Sequence, residues 1–362
     1  MRRYCVLSAA LPTALASYSG GMADFTSKRA TIRDVAVQAG VSKSVVSLVL
    51  RGTGYVSDAK RIAVAAAVRE LDYRPNAAAR TLTEARSYTV GVVLHDLRNP
   101  WFVEAVDGLN AVLNAHGLQM LLGDHRLDSR GGSSLLGKLL EMNVDGLVLV
   151  GTLPPSEDLI NAVRQVPTVV LGAPEAPAPS ADVVTDDNEA GAHLAVQHLV
   201  SLGHRRIAHL GAGPTPVGLA RRAGYEQAMT ESGLAELMLT VDGGLTEQGG
   251  YEAGLQLLDP ATGIRPTAIF AVNDMAAFGL LSAADELGCA VPDDLSIVGY
   301  DNTPTARMRH ISLTSIDNAS LASGRKAGEL LVARLADPVR PASLTLLAPS
   351  LAVRGSSAPP RA

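Results

Sequence analysis

Residue types able to do covalent or metal chemistry are few in this sequence, and their spacing does not suit it. The eight histidines are scattered, with no His-Glu-x-x-His to hold zinc on one helix face. No Gly-x-Ser-x-Gly elbow presents a serine nucleophile. The two cysteines, Cys5 and Cys289, stand too far apart to read as a disulfide framework or a cysteine zinc site. No Gly-x-Gly-x-x-Gly sits between a strand and a helix, so a dinucleotide site has little support. The sequence therefore predicts no catalytic residue, no metal and no cofactor.

What it does carry is an uneven charge. Through Arg86 the chain has 13 Lys and Arg against 6 Asp and Glu, and the remainder has 18 against 30. A basic head on an acidic body points to an anionic partner for the head alone. The overall net charge of −5 hides this. At 362 residues and 47% hydrophobic, the chain can build two or three domains with sizeable cores. No run of about 18 apolar residues is present to span a membrane.

The elements that would position the head's charge can be read locally. Ile32, Val35, Ala36 and Ala39 repeat at i, i+3, i+4 and i+7, an apolar stripe on a helix. Thr31 and Asp34 have the spacing of a capping box at its start. Gly40 breaks this helix, and Ser42 can cap a second one to about Arg51, with Val45, Val46 and Val49 inward. A third helix over Ser57–Leu71 closes the core. Two short helices joined by a tight glycine turn form a helix-turn-helix.

The segments TIRDVAVQAGVSKSVVSLVLRG, YVSDAKR and LDYRPNAAARTL, in that order, resemble the amino-terminal region of the LacI/GalR family of bacterial transcription regulators. The likeness continues almost to Arg354. It implies that the second helix enters the major groove of operator DNA, with Lys43, Ser44 and Leu48 at base edges and Ser47 and Thr31 near phosphates. Leu48 departs from the arginine that many members carry there, so the operator should differ at that base pair. Asn76–Leu82 matches the family's hinge helix, with Leu82 as a minor-groove wedge and Ala79 as the small residue facing the groove. Arg80 and Arg86 are expected at phosphates.

From Tyr88 onward, strand-like and helix-like stretches alternate, which argues for open parallel sheets covered by helices. There are too many for one sheet, so two lobes are expected. The resemblance implies the same body, like that of periplasmic sugar-binding proteins, with three crossings between lobes and the ligand beyond the carboxyl ends of the strands. Arg221 in LARRAGY, Asn273 in AVNDMAAFG and Asp301 in SIVGYDN match the family's effector-binding positions. Trp101 and Phe102 in NPWFVEA match its cleft aromatics. Gly172 stands where some sugar-binding members have aspartate, and Leu245 where they have an aromatic residue.

The fold class expected is thus a small all-α helix-turn-helix head with a hinge helix, followed by a two-lobed α/β effector domain with parallel sheets. Residues 1–27 are expected to be a disordered extension, with Met22 as a possible start. The head should span 28–75, hinge and linker 76–86, the two lobes 87–355, and a disordered tail 356–362. The function implied is a cytoplasmic, homodimeric repressor of a pseudo-palindromic operator, controlled by a small molecule. A sugar is the first expectation for that molecule and a purine-type ligand the reserve. An exported sugar-binding protein would share the body but lack the head.

Overall fold

The computed structural model describes residues 30–74, 86–128, 134–259, 261 and 265–361. The chain divides into two compact units, Met1–Arg80 and Thr81–Ala362. The expectations for residues 1–27, and for the hinge helix with Ala79, Arg80 and Leu82, lie outside the described residues.

In the first unit, helices α1 (Ile32–Gln38), α2 (Lys43–Arg51) and α3 (Asp58–Glu70) enclose Val35, Ala36, Val46, Val64 and Ala67. The capping box forms: Asp34 Oδ2 accepts from Thr31 N–H at 2.8 Å, and Thr31 Oγ1 accepts from Asp34 N–H at 3.4 Å. Ser42 Oγ accepts from Val45 N–H at 3.3 Å to start α2. Gly40 takes the left-handed conformation that the turn requires.

The second unit holds two sheets. The first lobe runs β1 (Thr89–Leu94), α4 (Pro100–Ala115), β2 (Gln119–Asp124), α5 (His125–Asp128), α6 (Leu135–Glu141), β3 (Gly146–Val150), α7 (Glu157–Gln165), β4 (Thr168–Leu171) and β5 (Asp182–Asp186). The second lobe follows with α8 (Asn188–Ser201), β6 (Ile207–Gly211), α9 (Pro216–Glu231), β7 (Leu239–Asp242) and α10 (Glu247–Leu258). It continues through β8 (Ala268–Ala271), α11 (Asp274–Glu286), β9 (Ser296–Tyr300) and β10 (Thr314–Asp317). Helix α12 (Ser320–Ala336) and β11 (Leu344–Leu347) return to the first lobe, and β12 (Ser350–Ala352) ends in the second.

Strand orders are β11-β5-β4-β3-β1-β2 and β12-β10-β9-β8-β6-β7. All ladders are parallel except β10 with β12. Near-continuous Val and Leu runs in β1, β3 and β4 suit burial on both faces. The chain changes lobe between β5 and α8, between β10 and α12, and between β11 and β12. These are the three crossings that the resemblance implied.

The tail corrects the expectation of disorder beyond 355. Ser356 is buried, donating from Oγ to Ile297 O at 2.6 Å and accepting Ile297 N–H on its carbonyl at 2.7 Å. Ala358 N–H donates to Ser296 Oγ at 3.0 Å, and Arg361 pairs with Asp293 at 2.7 Å. A Ser-, Pro-rich composition reads as solvated. Here its polar groups pair with Ser296 and Ile297 at the start of β9.

Candidate operator-reading head and effector cleft

On α2, Lys43 and Ser44 are exposed, and Ser47 and Leu48 half-buried, while Val46 is buried. Their spacing of one and four residues gathers them on one outer face. Leu48 also touches the loop that follows α2. Its Cδ2 lies 3.2 Å from where a Cβ on Gly54 would stand, so it leans on the left-handed glycine of the α2–α3 loop. Arg61 from α3 holds the same loop by donating to Val56 O at 3.1 Å.

In the body, polar side chains meet at the carboxyl ends of the strands. Pro216 at the first turn and Thr215 as cap start α9, which carries Arg221 inward to 5% exposure. Its guanidinium donates to Asn188 Oδ1 at 2.8 Å and to Val272 O at 2.5 Å. It lies over the Tyr300 ring, 3.6 Å from the centroid, and its Nη2 stands 3.8 Å from Asp301 Oδ1. Tyr300 O–H in turn donates to Asp186 at the end of β5. Burial raises the Asp186 carboxyl above its ordinary value, against the lowering effect of Arg221.

Asp301 is the junction between lobes. It has φ +106° and accepts from Asn318 Nδ2 at 3.1 Å and Asn99 Nδ2 at 3.5 Å. Asn318 lies on the second crossing, and Asn99 caps α4 in the first lobe. Trp101 completes the ring by donating its indole N–H to Asn318 Oδ1 at 3.0 Å. Burial, opposed by Arg221, pushes the Asp301 carboxyl up to about 8.

Gly172 takes on a new meaning beside Trp101. Its φ is +74°, and a Cβ there would lie 2.2 Å from the indole Cη2. The indole thus covers the place that a side chain at 172 would need. The structure brings Trp101, Arg221 and Asp301 together. Phe102 packs edge-on to Trp101 at 5.0 Å and beneath Gly151, within the first lobe's core. Asn273 caps α11 by accepting from Ala276 N–H at 2.8 Å and donates to Leu245 O at 3.1 Å. Asp186, Asn188, Tyr300, Asn99 and Asn318 escaped the sequence reading. Only the Asn-Pro start of α4 offered a local signal, as a helix N-terminus.

The Asp301 shift gives a measurable pH dependence. A carboxylate whose folded pKa is raised binds its proton more tightly folded than unfolded. Stability is therefore lost as pH rises from the unfolded value of about 4 through about 8. Buried His209, lowered to about 4, and Asp274, raised to about 6, act below pH 6.5. Between pH 6.5 and 8 the part of the fall due to Asp301, on the order of 2 kcal/mol, is expected to be lost in Asp301→Asn, leaving only what the raised Asp186 carboxyl contributes. Urea unfolding at each pH measures it, and an unchanged slope would contradict the assignment.

A model for bacterial regulatory proteins of the lacI family matches residues 31–76, and one for a periplasmic binding protein-like domain matches residues 196–357. The HTH-type transcriptional repressor PurR of Erwinia tasmaniensis is 34% identical over 334 residues, 91% of this chain and 97% of its own. The structure of the lac repressor dimer bound to operator and the anti-inducer ONPF covers 91% of this chain and 100% of its own. It shows 28% identity and a TM-score of 0.78. A LacI-family regulator from Enterococcus faecium with bound ribose covers 75% of this chain and 99% of its own, at 28% identity and TM-score 0.67. Head, body and likeness along nine-tenths of its length agree: the chain belongs to the lacI family of bacterial regulatory proteins.

Proposed function

We propose that this chain is a cytoplasmic, homodimeric repressor that reads a pseudo-palindromic operator and is controlled by a sugar bound between its lobes. The observation that carries the sugar reading is the Arg221 guanidinium 3.8 Å from Asp301, buried where the two lobes meet. A planar fork of donors beside an acceptor carboxyl suits a ligand rich in hydroxyls. The ribose bound by the Enterococcus faecium regulator supports the same class. Export as a sugar-binding protein does not explain the head at 31–76.

Ligand can change operator affinity only through unequal affinity for two lobe arrangements. The ring of Asn99, Trp101, Asn318 and Asp301 joins both lobes and a crossing, so occupancy of Asp301 bears on that balance. A thermal-shift screen of sugars against nucleosides and purine bases tests the class. A ligand at a hundred times its Kd should stabilise the body by about 2.7 kcal/mol. Stabilisation by purines alone would replace the sugar with the reserve reading.

On the head, Lys43, Ser44 and Leu48 are assigned to base edges and Thr31 and Ser47 to phosphates. The Leu82 wedge, with Ala79 and Arg80 beside it, belongs to the same proposal. Lys43→Ala and Leu48→Ala should each change the operator selected from a random duplex pool, since a base contact discriminates by ~1–3 kcal/mol. Unchanged preference in both would remove α2 as the reading element.

A further inference from the structure

Three consecutive residues at the entrance to the body converge on one carboxylate. Asp145, just before β3, is 9% exposed at its side chain. Its Oδ1 accepts from Ser87 N–H at 2.7 Å and Ser87 O–H at 2.9 Å. Its Oδ2 accepts from Tyr88 N–H at 3.1 Å and Arg86 Nε–H at 3.4 Å. The turn is also stitched on both sides. Asp145 N–H donates to Thr89 O at 2.8 Å, and Gln119 N–H donates to Tyr88 O at 2.8 Å.

Tyr88 has φ +55°, the left-handed region, which is unfavourable for a large L side chain. Such a conformation persists only where its surroundings over-determine it. The Arg86 guanidinium 5.3 Å over the Tyr88 ring adds to those surroundings. The β1 ladder does not require the clasp, because its pairing begins at Thr89 with Gln119. What the clasp supplies is a heading. With two successive amides pinned and Tyr88 left-handed, the backbone of residues 86–88 holds one heading at the start of the first lobe.

We propose that Asp145 is a positioning residue for operator binding: it fixes the point and direction from which the segment carrying the head departs. A dimer that must place two heads on paired half-sites gains from tethers with little freedom, because their effective concentration at the second half-site rises. Without the clasp, residues 86–88 regain backbone freedom that DNA binding must then remove.

The test uses the full chain and the duplex that the parent protein selects from a random pool. In Asp145→Asn, one acceptor oxygen becomes a donor facing donors. Operator affinity, measured well below the melting temperature, should fall at least tenfold, and trypsin should cut the Arg86–Ser87 bond at least tenfold faster. The proteolysis involves neither DNA nor effector, so its result stands apart from the functional reading above. Parental affinity or a parental cutting rate would each overturn the proposal. Should Asp145→Asn fail to fold, Ser87→Ala removes one donor to Asp145, together with the acceptor of Thr89 N–H, and carries the same two measurements. The expected changes are then about threefold, and parental values again overturn the proposal.

Discussion

Gly324→Val is expected to lower the melting temperature of the body by roughly 6–12 °C, corresponding to about 3 kcal/mol in a unit of this size. A Cβ at Gly324 would lie 1.9 Å from Ala105 O and 3.0 Å from Leu109 N, and one at Gly108 would lie 2.1 Å from Leu321 O. Helices α4 and α12 are therefore in near backbone contact, and what a new side chain meets is backbone rather than a movable tip. The helices must separate. The first turn of α4 carries Trp101, and its cap Asn99 reaches Asp301, so the wall of the cleft moves with the helix. Trp101 is the only tryptophan in the chain, and its emission reads that movement directly. A parental melting temperature with unchanged emission would show that this contact contributes little.

The head was the most legible part, because its signals are local. Thr31, Asp34, Gly40 and Ser42 lie within a dozen residues and each acts on its neighbours. Strand and helix alternation in the body was legible for a similar reason, since buried parallel strands are apolar on both faces. Helices α4 and α9 begin at Pro100 and Pro216, behind the caps Asn99 and Thr215. The caps and prolines lie ahead of the apolar stripe and add nothing to its period.

The cleft was legible only where resemblance marked it. Trp101 meets Asn318 across 217 residues of sequence, and Asp186 meets Tyr300 across 114; no local pattern encodes such partners. Each crossing is a change of lobe within a few residues and carries no composition signal. Strand β11 lacks the buried apolar run of β1, β3 and β4, because Leu344 and Leu346 are exposed at the sheet's edge. The tail misled for the converse reason. Its serines look solvated until Ile297 and Ser296 supply their partners.

Arg221→Ala is expected to abolish the effector response and to destabilise the body by about 3 kcal/mol or more, as removal of one partner from a buried charged network does. The guanidinium now satisfies Asn188 Oδ1 and the Val272 carbonyl, covers Tyr300 and opposes the burial of two carboxyls. Its loss leaves those acceptors without a donor and lets Asp186 and Asp301 rise further. The sign of the pH effect follows. In the parent, the stability lost through Asp301 levels off above about pH 8. In the variant the loss continues to higher pH, because the carboxyl keeps its folded-state proton longer. The difference between variant and parent should therefore widen from pH 7 to pH 9. Calorimetry with the ligand found by thermal shift should show at least a tenfold loss of affinity, since hydrogen bonds to charged groups contribute ~1.5–3 kcal/mol. Operator affinity without ligand, measured below the melting transition, should stay near the parental value, because head and cleft are distinct sites. Parental ligand affinity would move the effector away from Arg221. A stability difference that stays constant from pH 7 to pH 9 would mean that Arg221 and Asp301, though 3.8 Å apart, do not share their charge.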